Sequence, residues 1–225
     1  LDTIIKTPLA ADVVVYRDGD YAVAVDTKTK QEILRSDEHN EVIQSAVDER
    51  GLIALLGDFY FYDKVVVKSN TTIVHSHGTL RQKANTNIEA FFEIDTVEYE
   101  NIRFYNLHIN GGRDLGGNDS TIGIKWTYNR WLWIIMCKIH NINVPLQKLA
   151  GSPGADAKIA LNDLYDCRGY ILKAEGLSDS HIFGNNMGDS RDVGLTDQGG
   201  IILLSCGNTE IYGNRLWTIP GYGIL

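Results

Sequence analysis

The chain has 225 residues, enough for one sizeable core, and its 21 basic and 29 acidic side chains leave a net charge of -8. That balance lacks the basic footprint of a nucleic-acid binder and argues against docking on anionic lipid. No run approaches the roughly 18 consecutive apolar residues of a membrane span.

Four Pro and 22 Gly, with eleven Tyr and four Trp, suit a strand-rich, turn-rich fold. Cys137, Cys167 and Cys206 are odd in number and lack metal spacing, so no disulfide framework is expected. The sequence begins at Leu1 without a Met, as a trimmed chain would, so the missing signal peptide decides nothing.

Residues 1–35 are expected to form a small β-meander. Val13–Tyr16, the turn Arg17-Asp18-Gly19-Asp20 and Tyr21–Val25 read as strand, turn, strand, with Asp-Gly as the hairpin signal. A second turn over Asp26–Lys30 leads to Gln31–Leu34. The piece is too short to hold a core alone, so it must pack on the main body, a partner subunit or another domain.

A helix over about 37–49 follows, its first-turn N–H groups capped by Ser36 or Asp37. Val42, Ile43, Ala46 and Val47 form one apolar stripe and Gly51 ends it. Such a helix ahead of a repeat array covers an exposed terminal layer. Short strands come next: Leu52–Leu56, Phe59–Tyr62, Val65–Val67 and Thr71–Val74, with Gly, Asn and Ser at the corners.

From Asn101 to Leu216 a pattern recurs. Ile102, Phe104, Leu107 and Ile109 make the first copy; Leu132, Ile134, Cys137 and Ile139 the second; Ala157, Ile159, Asn162 and Leu164 the third. Ser180, Ile182, Asn185 and Met187 follow, then Thr209, Ile211, Asn214 and Leu216. The third member recurs at intervals of 30, 25, 23 and 29 residues, which points to a solenoid. Two short alternating strands around a tight corner make the unit a rung of a parallel β-helix. The corner column Leu107, Cys137, Asn162, Asn185, Asn214 predicts an internal Asn ladder bonded from coil to coil.

A further strand opens each coil near Phe91, Gly123, Asn143, Gly169, Gly200 and Gly223. Alternation places Ile124, Trp126, Val144, Leu146, Tyr170, Leu172, Ile201 and Leu203 inside. It turns Lys125, Thr127, Gln147, Ile171, Lys173, Ile202 and Leu204 outward. The chain stops one strand into a new coil, so either more coils or a partner are expected to cover that end.

The order helix, Leu52-Ile-Ala-Leu-Leu-Gly-Asp-Phe-Tyr-Phe-Tyr62, Val65-Val-Val-Lys-Ser-Asn-Thr-Thr-Ile73 and Gly78-Thr-Leu80 resembles the opening of the pectate-lyase-like right-handed β-helix family. There an amphipathic helix leads to Gly-Gly-x-Val-x-Leu-Pro-x-Gly-x-Tyr, then Ser-Asn and a Gly-rich first coil. Here the Pro is absent, with Leu56 near its place, and one Gly of the pair is Arg50 or Leu52. The resemblance covers residues 36–225. It implies an all-β, single-stranded right-handed parallel β-helix, and the family spans lyases, hydrolases, epimerases and viral tailspikes.

Two long loops are the candidate seat of any chemistry. Arg113-Asp114-Leu115-Gly116-Gly117-Asn118-Asp119 and Arg191-Asp192-Val193-Gly194-Leu195-Thr196-Asp197 share one pattern 78 residues apart, each ahead of a coil-opening Gly. Both should leave the same edge of the solenoid, two or three coils apart, and wall a groove. Glycosidic hydrolysis needs two carboxyl groups about 5 to 9.5 Å apart, and coils stacked at about 4.8 Å can supply that spacing. Asp114, Asp119, Asp192 and Asp197 are the candidate acids; Arg113, Arg191, Lys125 and Lys173 would bind sugar or neutralise a uronate. The plainer reading makes the Arg-Asp pairs surface ion pairs that lock the loops.

No cofactor is assigned; the Gly- and Asp-rich loops could bind Ca2+, but they lack EF-hand or nonapeptide spacing. His75 and His77 should share a strand face but find no third ligand, so no metal is assigned. His108, His140 and His181 should face solvent. Trp131 and Trp133 should also turn outward, away from the sheet the loops border, to meet sugar or another subunit. The resulting expectation is a polysaccharide-degrading enzyme, a lyase or glycoside hydrolase, acting on an extracellular or cell-surface glycan. The Asn-Thr-Asp, Asp-Asp and Gly-His series of polygalacturonases is missing. The alternative is a non-enzymatic tailspike, fibre or structural surface protein on a virion or cell, assembled as a homotrimer.

Overall fold

The computed structural model describes residues 11–49, 51–94, 100–112, 121–128, 130–150, 154–190, 199–219 and 221–225. These residues wind into a parallel β-helix of three sheets. The first sheet has eleven strands, and the second and third have seven each among the described residues. One rung visits the three sheets in turn. The fourth, for example, uses Arg130–Ile135, Lys138–Ile142 and Val144–Lys148.

Rungs pair in register, so like side chains stack. In the first sheet Ile53, Ile73, Phe104, Ile134, Ile159, Ile182 and Ile211 form one inward column. In the second sheet the column is Phe59, Leu80, Ile109, Ile139, Leu164, Met187 and Leu216. The third contributes Val65, Phe92, Ile124, Leu146, Leu172, Ile201 and Ile224. Each fully buried aliphatic or aromatic adds about 1.5–3 kcal/mol of transfer free energy, and most of these side chains join one core cluster.

A two-residue corner turns each rung from the first sheet to the second. Its leading residue takes a left-handed backbone: φ is 54° at Asn106, 55° at Met136, 57° at Leu161, 64° at Gly184 and 62° at Gly213. The residue after it points inward, and the predicted Asn ladder is there. Asn162 Nδ2 donates to Asn185 Oδ1 at 2.9 Å and Asn185 Nδ2 to Asn214 Oδ1 at 2.8 Å. The same oxygens accept from the backbone N–H of the rung above, Asn162 at 3.0 Å and Asn185 at 3.0 Å.

The meander consists of β1 (Val13–Asp18), β2 (Tyr21–Asp26) and β3 (Glu32–Ser36), paired antiparallel. Packing on the main body is the outcome: β1 lies parallel to Gly51–Leu56 and extends the first sheet. Val15, Ala22 and Ala24 share the core of the coil stack. Helix α1 (His39–Glu49) covers the first rung with Val42, Ile43, Ala46 and Val47, all fully buried. It also satisfies strand edges that no rung above can pair. His39 Nδ1 accepts from Tyr60 N at 2.9 Å, Asn40 Oδ1 from Tyr62 N at 3.2 Å, and Gln44 Oε1 from Val66 N at 2.7 Å.

Two expectations of strict alternation fail in the third sheet. Ile171, predicted outward, is fully buried in the core beside Leu172, while Tyr170, predicted inward, is only half-buried. The strand bends as it leaves its corner, so two consecutive side chains point in, as Phe91 and Phe92 also do. Val144, placed in the main core by alternation, instead forms a small separate cluster with Ala90 and Ile122.

Candidate functional site

Three outer faces are available to a ligand, and they differ in chemistry. On the third sheet Glu93, Lys125, Gln147, Lys173 and Ile202 share one outward column. Lys125 is outward as predicted but only 8 % exposed, because two carboxylates close over it. Its Nζ bonds Glu93 Oε1 at 2.6 Å and also Glu89, and Lys64 joins the same cluster. Burial pulls the Lys125 pKa down, but the bonds to Glu89 and Glu93 outweigh it and raise the value. Lys173 stands over the Tyr170 ring at 5.7 Å.

On the first sheet Trp133 faces out as predicted, held between the Arg103 guanidinium at 4.5 Å and the Lys158 ammonium at 5.1 Å. Phe183 and Tyr212 stack beside it, with centroids 5.0 Å apart. Trp131, Met136, Leu161 and Tyr212 are each 45–56 % exposed.

The second sheet presents a strip of rings. Tyr60, Arg81, Asn110, His140, Tyr165, Gly188 and Trp217 follow one another in register along its outer face. His140 lies flat on Tyr165, with centroids 5.0 Å apart and planes 5° from parallel. His108, one rung earlier in the neighbouring column, brings its Nε2 to 3.1 Å from His140 Nε2. Lys138 stands 5.7 Å from the Tyr165 centroid. At Gly188 a Cβ would sit 2.4 Å from the Trp217 ring, so only glycine admits the indole there, and Trp217 Nε1 donates to Asn186 Oδ1 at 3.0 Å. From the third rung to the seventh the strip runs about 19 Å, at about 4.8 Å per rung. Its first end opens into a recess of about 320 Å3 lined by His77, Asn106, His108, Met136 and Lys138.

Stacking covers one flank of His140 and of Tyr165, while Nε2 of His108 and of His140 meet each other. Arg81 adds a buried Nε–H that finds no acceptor among the described residues. Burial, and then the nearby Lys138 charge, lower the His108 pKa, so the ring is neutral at neutral pH.

The two segments that hold the predicted loops both join the second sheet to the third. One connection leaves the second sheet after Asn110 and enters the third at Ile122; the other leaves after Ser190 and enters at Gly199. Both cross the same edge, three rungs apart. Arg113, Asp114, Asp119, Arg191, Asp192 and Asp197 lie outside the described residues. Along that edge Asn141, Asp166 and Asp189 occupy one column, with φ of 55°, 52° and 56°. Asp166 and Asp189 therefore stand one rung, about 4.8 Å, apart along the backbone. Sequence reasoning passed over this pair, although its offset of 23 residues equals that between Asn162 and Asn185.

His75 and His77 do not share a face. A register irregularity between the strand holding them and Gly51–Leu56 leaves His75 buried, bonded to the Gly57 carbonyl at 2.9 Å, and His77 exposed. Among the described residues no three His, Cys, Asp or Glu side chains converge on a metal position, and no helix is long and apolar enough to cross a membrane.

Fold and face together define a parallel β-helix with a ring strip on one sheet. No family model, curated protein or solved structure matches the chain.

Proposed function

We propose that the protein engages an extended extracellular or cell-surface polysaccharide along the outer face of its second sheet and cleaves it, as a lyase or glycoside hydrolase of pectate-lyase-like type. The observation that carries this reading is the strip His108–His140–Tyr165–Trp217, set beside the edge that both long loops cross. A sugar chain can stack on rings set in register, and Arg81 and Lys138 supply donors for its hydroxyls. In hydrolysis two carboxyl groups flank the scissile bond, and carboxylates one rung apart approach the roughly 5–5.5 Å separation of retaining enzymes. Asp166 and Asp189 join Asp114, Asp119, Asp192 and Asp197 as candidates for those roles. In a lyase the acidic partner would be replaced by a base, with Arg113, Arg191 and Lys173 neutralising a uronate. The chemistry needs no cofactor.

Incubation with a panel of acidic and neutral polysaccharides tests this, reading released reducing ends and the ultraviolet absorbance of unsaturated products. Tyr165→Ala and Trp217→Ala should weaken glycan retention on affinity gels, and Trp133→Ala, on the first sheet, should not. Equal effects of Tyr165→Ala and Trp133→Ala, or no glycan bound at all, would sink the reading.

Exposed Trp131, Met136, Leu161 and Tyr212 favour a second reading, a non-enzymatic fibre or tailspike in which the first sheet meets other copies in a homotrimer. A trimer by sedimentation that binds glycan and yields no product would select it.

A further inference from the structure

We propose that His108 and His140 form a chelating site for a late first-row divalent metal ion on the outer face of the second sheet. Their Nε2 atoms are 3.1 Å apart. Two imidazole nitrogens bound to one ion at about 2.0–2.1 Å are separated by about 3.1 Å when the N–metal–N angle is about 100°. The pair therefore already has the bite of a bidentate ligand, and no backbone has to move.

Both rings are held from behind. His140 is stacked on Tyr165. The Gly78 carbonyl bonds the His108 ring, and Thr79 Oγ1 lies 3.4 Å from its Nδ1. The Nε2···Nε2 contact is bridged by one proton, which a bound metal ion displaces while Thr79 stays beside Nδ1 of His108. A second hydrogen bond that fixes tautomer and ring orientation is the usual support of a metal-binding histidine.

Ligand type selects the ion. Lys138 and Arg81 near His108 oppose any divalent cation, and two imidazoles give the oxygen-seeking Ca2+ or Mg2+ nothing to offset that repulsion. Imidazole pairs suit Cu2+, Ni2+ and Zn2+, with Cu2+ bound most tightly. No third His, Cys, Asp or Glu converges there among the described residues, so water completes the coordination. The site shares His108 and His140 with the strip of the glycan reading, but its argument does not depend on that reading.

The test titrates the tag-free chain with CuSO4, ZnCl2 and CaCl2 by calorimetry and records the Cu2+ electron paramagnetic resonance spectrum. One Cu2+ per chain should bind, with hyperfine structure from two nitrogens. His108→Ala and His140→Ala should each weaken that binding about tenfold or more. The conservative His140→Gln should do the same in a chain whose circular dichroism matches wild type. His181→Ala, at a histidine of the first sheet paired with Glu210, should leave it unchanged. Wild-type affinity in His108→Ala and His140→Ala, or no more Cu2+ bound by wild type than by the double variant, overturns the proposal.

Discussion

Asn185→Leu removes the middle of the Asn ladder, and the cost follows from its bonds. Asn185 is 1 % exposed. Its Oδ1 accepts from Asn162 N at 3.0 Å and Asn162 Nδ2 at 2.9 Å; its Nδ2 donates to Ile159 O at 2.9 Å and Asn214 Oδ1 at 2.8 Å. Leucine has nearly the same volume but makes none of these bonds. Two buried donors on Asn162 and one acceptor face on each side lose their partner, at about 1–3 kcal/mol for each orphaned group. Apolar burial of the leucine offsets about 1.5–3 kcal/mol, leaving a net loss of about 6 kcal/mol at the middle of these ranges. Urea unfolding followed by far-ultraviolet circular dichroism reads it as a midpoint lowered by about 3 M, for a slope of about 2 kcal/mol/M. Asn214→Leu, at the half-buried last corner, should cost only about 1–2 kcal/mol, because water can replace the lost partners. Equal midpoints for Asn185→Leu and wild type would refute the reasoning, and so would an Asn214 variant as damaged as the Asn185 one.

Acid should loosen the helix cap. Burial holds the His39 pKa below its usual 6.5, and its Nδ1 already accepts from Tyr60 N, so the folded state disfavours the proton. The stabilisation is complete above 6.5 and is lost as pH falls from there toward the lowered folded value; buried His75 shifts in the same direction. The urea midpoint should drop between about pH 7 and about pH 5, and less steeply in His39→Gln; a flat profile counts against the account. Lys125→Met should cost about 1–3 kcal/mol, less than the roughly 3–5 of a fully buried pair, since Lys64 still reaches Glu93 and Glu89 is 56 % exposed. Adding Glu93→Leu should recover most of the loss in the same denaturation assay; an additive double variant would show that the pair is not coupled. Burial pushes the Cys137 thiol up to about 12, so native-state alkylation read by mass spectrometry should spare it and label half-buried Cys206 first.

The coil stack was legible because its constraint is periodic. Ile134, Ile159 and Ile182 fall at one place in each copy of the pattern and superpose in the first sheet. The Asn column was legible for the same reason, since an amide at three successive corners, Asn162, Asn185 and Asn214, has one economical use inside a solenoid. What escaped depended on bends or on register between columns. Ile171 and Tyr170 exchanged places because the strand bends at its corner, which alternation cannot represent. The register irregularity beside His75 separated it from His77. His108 and His140 lie 32 positions apart in sequence; they meet on a diagonal between adjacent columns, visible only once pairing fixes His108 opposite Lys138. Lys125 looked like a free cation because Glu89, 36 positions earlier, reaches it from a neighbouring rung.

The second sheet sets ring and polar side chains in register along its outer face. On the third sheet Lys125, Lys64, Glu89 and Glu93 satisfy one another, and a ligand would have to break those pairs. On the first, Arg103 and Lys158 close over both sides of Trp133, so the indole is already occupied by cations. On the second, His140 stacks on Tyr165 and the strip continues to Trp217. Rigid rungs fix the spacing of these side chains, so a ligand that matches it binds without paying to order them. A chain of repeated sugars, whose hydroxyls recur along its length, is the natural counterpart of such a strip. A compact ligand would use only one or two of its rungs.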